Sequence, residues 1–315
     1  MAPPYDGRLS VVDNGHILWF CTRRTRAMPR ALEIEPVTIP IVGNPLGYFQ
    51  DPLEVTLERM RELGYDEIEL CHSQIRDFRT AELRGQLSEF IASLGMRLVG
   101  SNVPDSDYFQ TLESSEDVKV ALAGLERDID IAADLGARYL ITYEGRIPSG
   151  ATDALIFGRL LDDTVRLLGA AADYAAARDM AVWIEVHPFT LGTRLEFLVE
   201  LCDRIDRTNF GVVYDACHFA VGIPDGYIEA IGRLGERIKM IHFSDSDQRS
   251  SELHFPPGRG CLDLEGILQA LRRIQFTGPW MLDLYLYPVP AWGSREGLAW
   301  LRNKLAAWQQ ADPGS

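Results

Sequence analysis

Leu135-Gly136-Ala137-Arg138-Tyr139-Leu140-Ile141-Thr142-Tyr143 joins the end of an amphipathic stretch to a short apolar run with no loop between them. The glycine suits the left-handed residue that closes a helix, and the run after it suits a strand buried on both faces. The same junction recurs along the chain. Leu63-Gly64 precedes Asp66 to Leu70, Leu94-Gly95 precedes Met96 to Gly100, and Leu234-Gly235 precedes Arg237 to Phe243. The stretches upstream carry helical spacing, with Leu53, Leu57 and Met60 on one face of one and Leu161, Val165 and Leu168 on one face of another. The repeating unit is helix, tight turn, parallel strand.

Strands are expected at Thr38 to Val42, Glu67 to Leu70, Arg97 to Ser101, Tyr139 to Tyr143, Ala181 to Val186, Phe210 to Tyr214, Lys239 to Phe243 and Trp280 to Tyr285. Eight alternating units with right-handed crossovers close into a barrel more readily than they form an open sheet. The expected fold is therefore α/β, a single-domain (β/α)8 TIM barrel over residues 35–315. Residues 1–34 lack the repeat and hold Pro3-Pro4, the basic cluster Arg23, Arg24 and Arg26, and a second methionine, Met28. They read as an N-terminal extension, either loosely ordered or an upstream start artefact; the apolar Ile17-Leu18-Trp19-Phe20 equally suits a strand or cap under the barrel.

A chain of 315 residues with 46% hydrophobic content buries one large core. Its formal charge of -15, from 46 acidic and 31 basic residues, repels a phosphate backbone overall, so no nucleic-acid partner is expected. Five scattered cysteines (Cys21, Cys71, Cys202, Cys217, Cys261) form no C-x-x-C pair, which suits a reducing compartment. No apolar run reaches the ~20 residues of a spanning helix, so no membrane partner and a cytoplasmic location are expected. A homo-oligomer is compatible with all of this.

In a barrel of this kind the strand carboxyl ends face the active-site mouth. Strand five reads Trp183-Ile184-Glu185-Val186-His187, strand six Val213-Tyr214-Asp215-Ala216-Cys217-His218, strand seven Ile241-His242-Phe243-Ser244-Asp245, and strand eight Met281-Leu282-Asp283-Leu284-Tyr285. Glu185, Asp215, His242 and Asp283 thus end four consecutive strands. Three carboxylates and an imidazole converging on a narrow mouth call for a cation among them, since unpaired buried charge is costly. Such an oxygen-rich set with one nitrogen favours Mn2+ or Mg2+ and also accommodates Co2+ or Zn2+.

The series E-x-H, D-x-x-H, H-x-S-D and H-x-x-P-G-x-G, in that order on those strands, resembles the xylose isomerase-like barrel superfamily of sugar and sugar phosphate isomerases and epimerases over roughly Val37 to Trp308. The resemblance implies one divalent metal ion held by Glu185, Asp215, His242 and Asp283. It implies that His187, His218 and Arg259 hold substrate oxygens, and that Glu185 and Asp283 exchange protons with carbons beside the substrate carbonyl. The chain departs from the pattern at Asp283, where the family usually has glutamate.

Around this set, His72 after strand two and Glu144 after strand four face the same mouth as candidate substrate contacts. Asn44-Pro45-Leu46-Gly47 with Tyr48-Phe49 suggests an apolar wall or a simple turn. His254 either supports a ligand from behind or is a further ligand of a multinuclear site. Strands three and four end in Gly100-Ser101-Asn102 and Thr142-Tyr143-Glu144, without the histidines that an endonuclease IV type of trinuclear zinc cluster needs. No glycine-rich phosphate cradle stands at the last two strands, which points to an unphosphorylated substrate.

The expected function is a metal-dependent isomerase or epimerase of a small-molecule sugar, ketose or cyclitol ketone, working through a metal-stabilised enediolate. Loss of a β-hydroxyl from the same enediolate gives the rival reading, a dehydratase of an inosose or dehydroshikimate-like cyclic ketone. The rival from another class is a non-catalytic metal-dependent binding or scaffold subunit.

Overall fold

The structure, a computed structural model, describes residues 39–75, 78, 80–102, 115–146 and 154–310. The expected N-terminal extension, residues 1–34, lies outside the described residues, as does Cys21. Residues 36–315 gather into one compact unit.

Eight strands close the barrel in chain order: β1 (Ile41–Gly43), β2 (Glu67–Cys71), β3 (Arg97–Asn102), β4 (Tyr139–Thr142), β5 (Ala181–Glu185), β6 (Phe210–Asp215), β7 (Ile238–Phe243) and β8 (Trp280–Leu282). Each pairs parallel with the next, and β8 returns to β1 with Trp280 opposite Ile41. Helices between the strands form the outer layer, among them Leu53–Glu62, Ala81–Ser93, Ser115–Asp134, Ala154–Ala176, Leu195–Ile205 and Leu264–Arg273. The expected helical stripes are the buried ones: Leu57, Met60, Leu161 and Leu168 pack into the core between helices and strands. Truncating such a side chain to alanine typically costs about 2–5 kcal/mol.

A second apolar cluster fills the barrel itself. Val42, Val99, Tyr139, Ile141, Val213, Met240 and Met281 point inward and pack with Ala181 and Trp183. The Tyr139 and Trp183 rings stack at 4.2 Å. Gly100 makes room for them, since a Cβ there would fall 2.1 Å from the Tyr139 ring.

The Leu-Gly junctions behave as expected at Gly95 and Gly136, with φ of +72° and +85°. Leu234-Gly235 differs: a 3-10 turn at Gly235–Arg237 separates its helix from β7. Strand eight also ends at Leu282, short of the expected Tyr285. The reason is Asp283, whose Oδ1 accepts the Tyr285 N–H at 2.9 Å and turns the chain out of the sheet. Among the described residues no helix is long and apolar enough to cross a membrane, and Cys71, Cys202, Cys217 and Cys261 are all free.

One loop at the mouth is strongly ordered by a single side chain. Buried Asp245 accepts four backbone N–H groups: Oδ1 from Ser246 and Leu262, Oδ2 from Gly258 and Gly260, at 2.8–3.0 Å. Its backbone also pairs with Phe255. That brace sets the position of the neighbouring His254.

Candidate active site

The sheet register brings the four strand-end residues together. Glu185 and Asp215 are the last residues of β5 and β6, His242 is the penultimate residue of β7, and Asp283 follows β8 directly. One ligating atom from each lies within 4.8 Å of those of the other three, and all four residues are buried. His242 Nδ1 stands 2.6 Å from Glu185 Oε1 and 3.9 Å from both Asp215 Oδ2 and Asp283 Oδ2. One imidazole nitrogen thus faces three carboxylates. Asp215 divides its work: Oδ1 accepts the His218 N–H at 2.7 Å and caps the short helix Ala216–Gly222, while buried Oδ2 has no hydrogen-bond partner.

The electrostatics of the cluster follow from this crowding. Burial pushes the Asp215 carboxyl up to about 6. Burial also opposes charge on Glu185, but the imidazoles of His242 and His187 outweigh it and hold that carboxyl well below its usual range. His242, despite burial, is raised to about 10 by Glu185. Three buried carboxylates, one inward imidazole nitrogen and an orphaned oxygen are the donor set of a divalent cation, so the residues present fit such an ion.

A file of imidazoles continues the site toward the mouth. His187 Nε2 is 3.4 Å from Glu185 Oε2 and its Nδ1 3.6 Å from Glu252 Oε1. Burial would lower His187, but these two carboxylates raise it to about 9. Its ring lies 3.9 Å from that of His218. His218 Nε2 is 3.2 Å from His254 Nε2, and His254 Nδ1 is 3.4 Å from Asp283 Oδ2. Burial and the neighbouring His187 and His254 hold His218 well below its ordinary value.

The other expected contacts are Glu144, Arg259 and His72. Glu144 is buried with Oε1 accepting the Gly192 N–H at 2.7 Å, and burial pushes its carboxyl up to about 7. Arg259 is exposed, its guanidinium 5.0 Å from the Trp292 ring centre. His72 opens the short helix His72–Ile75 after β2, and its side chain lies outside the described residues. Of the aromatic pair after β1, Phe49 is exposed and 6.4 Å from Tyr285. Tyr48 turns inward and donates to Ser294 Oγ at 2.8 Å.

Four residues beyond those expected belong to the site's surroundings. Asn102 donates to Glu185 Oε2, and the Tyr143 hydroxyl donates to Asn102 Oδ1. Glu252 supports His187. Glu69, buried in the barrel on β2, has its carboxyl pushed up to about 7 by burial. Strand alternation could have found Glu69, since Ile68 and Leu70 take the opposite face. Asn102 and Tyr143 were marked only by their place at the ends of strands three and four, and no sequence signal marks Glu252.

The chain resembles two groups of proteins. It is 25% identical over 160 residues to an inosose isomerase of Bacillus subtilis (strain 168), a match spanning 48% of this chain and 55% of that protein. It is 25% identical over 284 residues to an inosose dehydratase of Geobacillus kaustophilus (strain HTA426), covering 81% of this chain and 86% of the dehydratase. Among solved structures, a D-psicose 3-epimerase with D-fructose superposes with a TM-score of 0.70 at 17% identity, over 85% of this chain and 99% of that one. The IolI protein with a bound zinc atom gives 0.67 at 20% identity, over 87% and 98%. The xylose isomerase-like TIM barrel model matches residues 57–304, and the chain belongs to that family.

Proposed function

We propose that the protein is a divalent-metal-dependent isomerase or epimerase of a small cyclitol ketone or ketose. The observation that carries this reading is the convergence of Glu185, Asp215, His242 and Asp283 within 4.8 Å at the barrel mouth. Glu185, Asp215, His242 and Asp283 would hold a divalent ion, and the ion when bound would supply Lewis-acid charge that acidifies a C–H bond next to a carbonyl. The zinc of the IolI protein makes Zn2+ one candidate; the oxygen-rich donor set equally suits Mn2+, Mg2+ or Co2+.

Glu185 is the proton acceptor in this reading. Its Oε1 faces His242, while Oε2 lies beside Asn102 and His187. His187 and His218 offer ring nitrogens to substrate oxygens. Return of the proton to the opposite face of the same carbon is epimerisation, and return to the neighbouring carbon is isomerisation. Asp283 is held by Tyr285 and His254, so it serves as a ligand before it serves as a second base. Arg259 and Glu144 are assigned no step.

A second reading, a dehydratase, has its own support. His187 carries a proton to about 9 and sits 3.4 Å from Glu185, an acid beside the base that suits protonation of a departing hydroxyl. The inosose dehydratase relative points the same way. Incubating the metal-loaded protein with inososes and ketoses in D2O separates these outcomes by NMR. Deuterium beside the carbonyl of an intact sugar supports isomerase or epimerase chemistry, whereas an enone or dione absorbance supports the dehydratase.

A further inference from the structure

Glu185 is a carboxylate with two oxygens and two tasks, and something must keep the oxygens distinct. Oε1 is committed to His242 at 2.6 Å. Oε2 accepts a hydrogen bond from Asn102 Nδ2 at 3.3 Å, and Asn102 Oδ1 in turn accepts from the Tyr143 hydroxyl at 3.1 Å. Asn102 is the last residue of β3, Tyr143 follows β4 and Glu185 ends β5, so three strands contribute one link each.

We infer that Asn102 and Tyr143 form a positioning chain that fixes which oxygen of Glu185 meets the substrate proton, with Tyr143 acting only through Asn102. The inference rests on the reading of Glu185 as the proton acceptor. Its physical basis is the two-faced amide. An asparagine side chain turned by 180° would set Oδ1 against Glu185 Oε2, acceptor against acceptor. The carboxylate, which only accepts, turns Nδ2 toward itself, and the Tyr143 hydroxyl then donates to the Oδ1 left facing it and holds the amide in that orientation. Tyr143 is buried, and burial holds its phenol well above the ordinary value, so the hydroxyl keeps its proton at any working pH. Asn102 is also buried, at 9% exposure, which limits competition from solvent for the same bonds.

The chain gives Glu185 Oε2 a neutral donor. An N–H bond of 3.3 Å restrains that oxygen from one side, while His187 Nε2 stands 3.4 Å away on another. A misplacement of about 1 Å at a reacting group can cost on the order of 100-fold in rate. The Tyr143 ring meets His187 edge-on at 4.9 Å, so Tyr143→Phe keeps that packing and deletes only the donor.

The test uses the full-length metal-loaded protein and a substrate found by the D2O screen. Asn102→Asp, which sets an acceptor against Oε2, should lower kcat about 100-fold with KM changed less than about threefold and metal content unchanged. Asn102→Ala should fall in the same direction. Tyr143→Phe should lower kcat about tenfold, and the double variant Asn102→Asp with Tyr143→Phe should match Asn102→Asp alone. Multiplicative losses in the double variant, or a kcat near wild type in both Asn102 variants, would overturn the chain. A readout free of turnover keeps this apart from the functional reading. The Asn102 side-chain amide protons, identified by their loss in Asn102→Asp, should exchange slowly with solvent and become fast in Tyr143→Phe. Slow exchange with no turnover on any ketone would leave the chain standing and sink the enzyme; fast exchange in the wild type would sink the chain.

Discussion

His254 Nδ1 lies 3.4 Å from Asp283 Oδ2, while Asp283 Oδ1 accepts the Tyr285 N–H at 2.9 Å. Both oxygens of the strand-eight carboxylate are therefore engaged. The side chain sits back against the loop that Asp245 braces. His254, raised well above its ordinary value by Asp283 and Asp215 against the effect of burial, gives that loop a charged partner for it.

Asp283→Asn should weaken metal binding by at least about tenfold, since it replaces a charged ligand with a neutral one. Reloaded with excess metal, the variant should still exchange solvent deuterium into substrate through Glu185. Elemental analysis and NMR in D2O read the two effects separately. Loss of all exchange in the metal-replete variant would make Asp283 an essential second base.

Asp215→Ala and His242→Ala should each lose the bound metal, with a fall in melting temperature to match. For a metal present at about 100 times its Kd, the lost linkage is about 2.7 kcal/mol. Calorimetry of the wild type with and without chelator sets the reference, and unchanged metal content in both variants would contradict the ligand assignment.

Glu144 gives a prediction in pH. Its folded value of about 7 lies above the ordinary 4.5, so between those values the folded state holds a proton that the unfolded state has lost. Stability from this group is present at low pH, declines as pH rises from about 4.5 to 7, and is flat above. Glu144→Gln should thus be neutral or slightly destabilising at pH 5 and stabilising at pH 8. The gain is at most about 3 kcal/mol, at about 1.4 kcal/mol per pKa unit, or several degrees in melting temperature. A variant whose effect is the same at both pH values would show that Glu144 is charged in the fold.

Asp245→Ala should loosen the loop from Ser246 to Leu262, because four backbone N–H groups lose their acceptor at once. Limited proteolysis should find new cleavage there while the barrel stays intact, and weaker metal binding should follow as His254 leaves Asp283. Unchanged protease resistance would mean that the loop is held by other contacts.

The fold was legible because two periodicities change over at fixed points: helical stripes such as Leu57 and Met60 are buried, and the Leu-Gly turns at Gly95 and Gly136 deliver the chain into strands. The charged ends of β5 to β8 were legible for the same reason, since a polar residue ending an apolar run stands out. Asn102 and Tyr143 did not stand out. They are neutral, and their role exists only between strands, in a hydrogen bond across β3, β4 and β5. Asp245 could be read as part of a motif, but its role depends on where the Gly258 and Gly260 amides fold back to meet it. Arg259, which the resemblance gave as a substrate contact, has its guanidinium 5.0 Å from the Trp292 ring centre.

The central claim is that Glu185, within the four-residue cluster, moves a proton at carbon. It is tested most directly by incubating wild type and Glu185→Gln, each with one equivalent of divalent metal, with a panel of inososes and ketoses in D2O. The wild type should place deuterium beside the carbonyl of at least one substrate and stop doing so when the metal is chelated. Glu185→Gln should still bind that substrate and incorporate on the order of 100-fold less, because an amide cannot accept the proton. Incorporation at the wild-type rate by Glu185→Gln, or none by the wild type into any sugar it binds, would contradict the account.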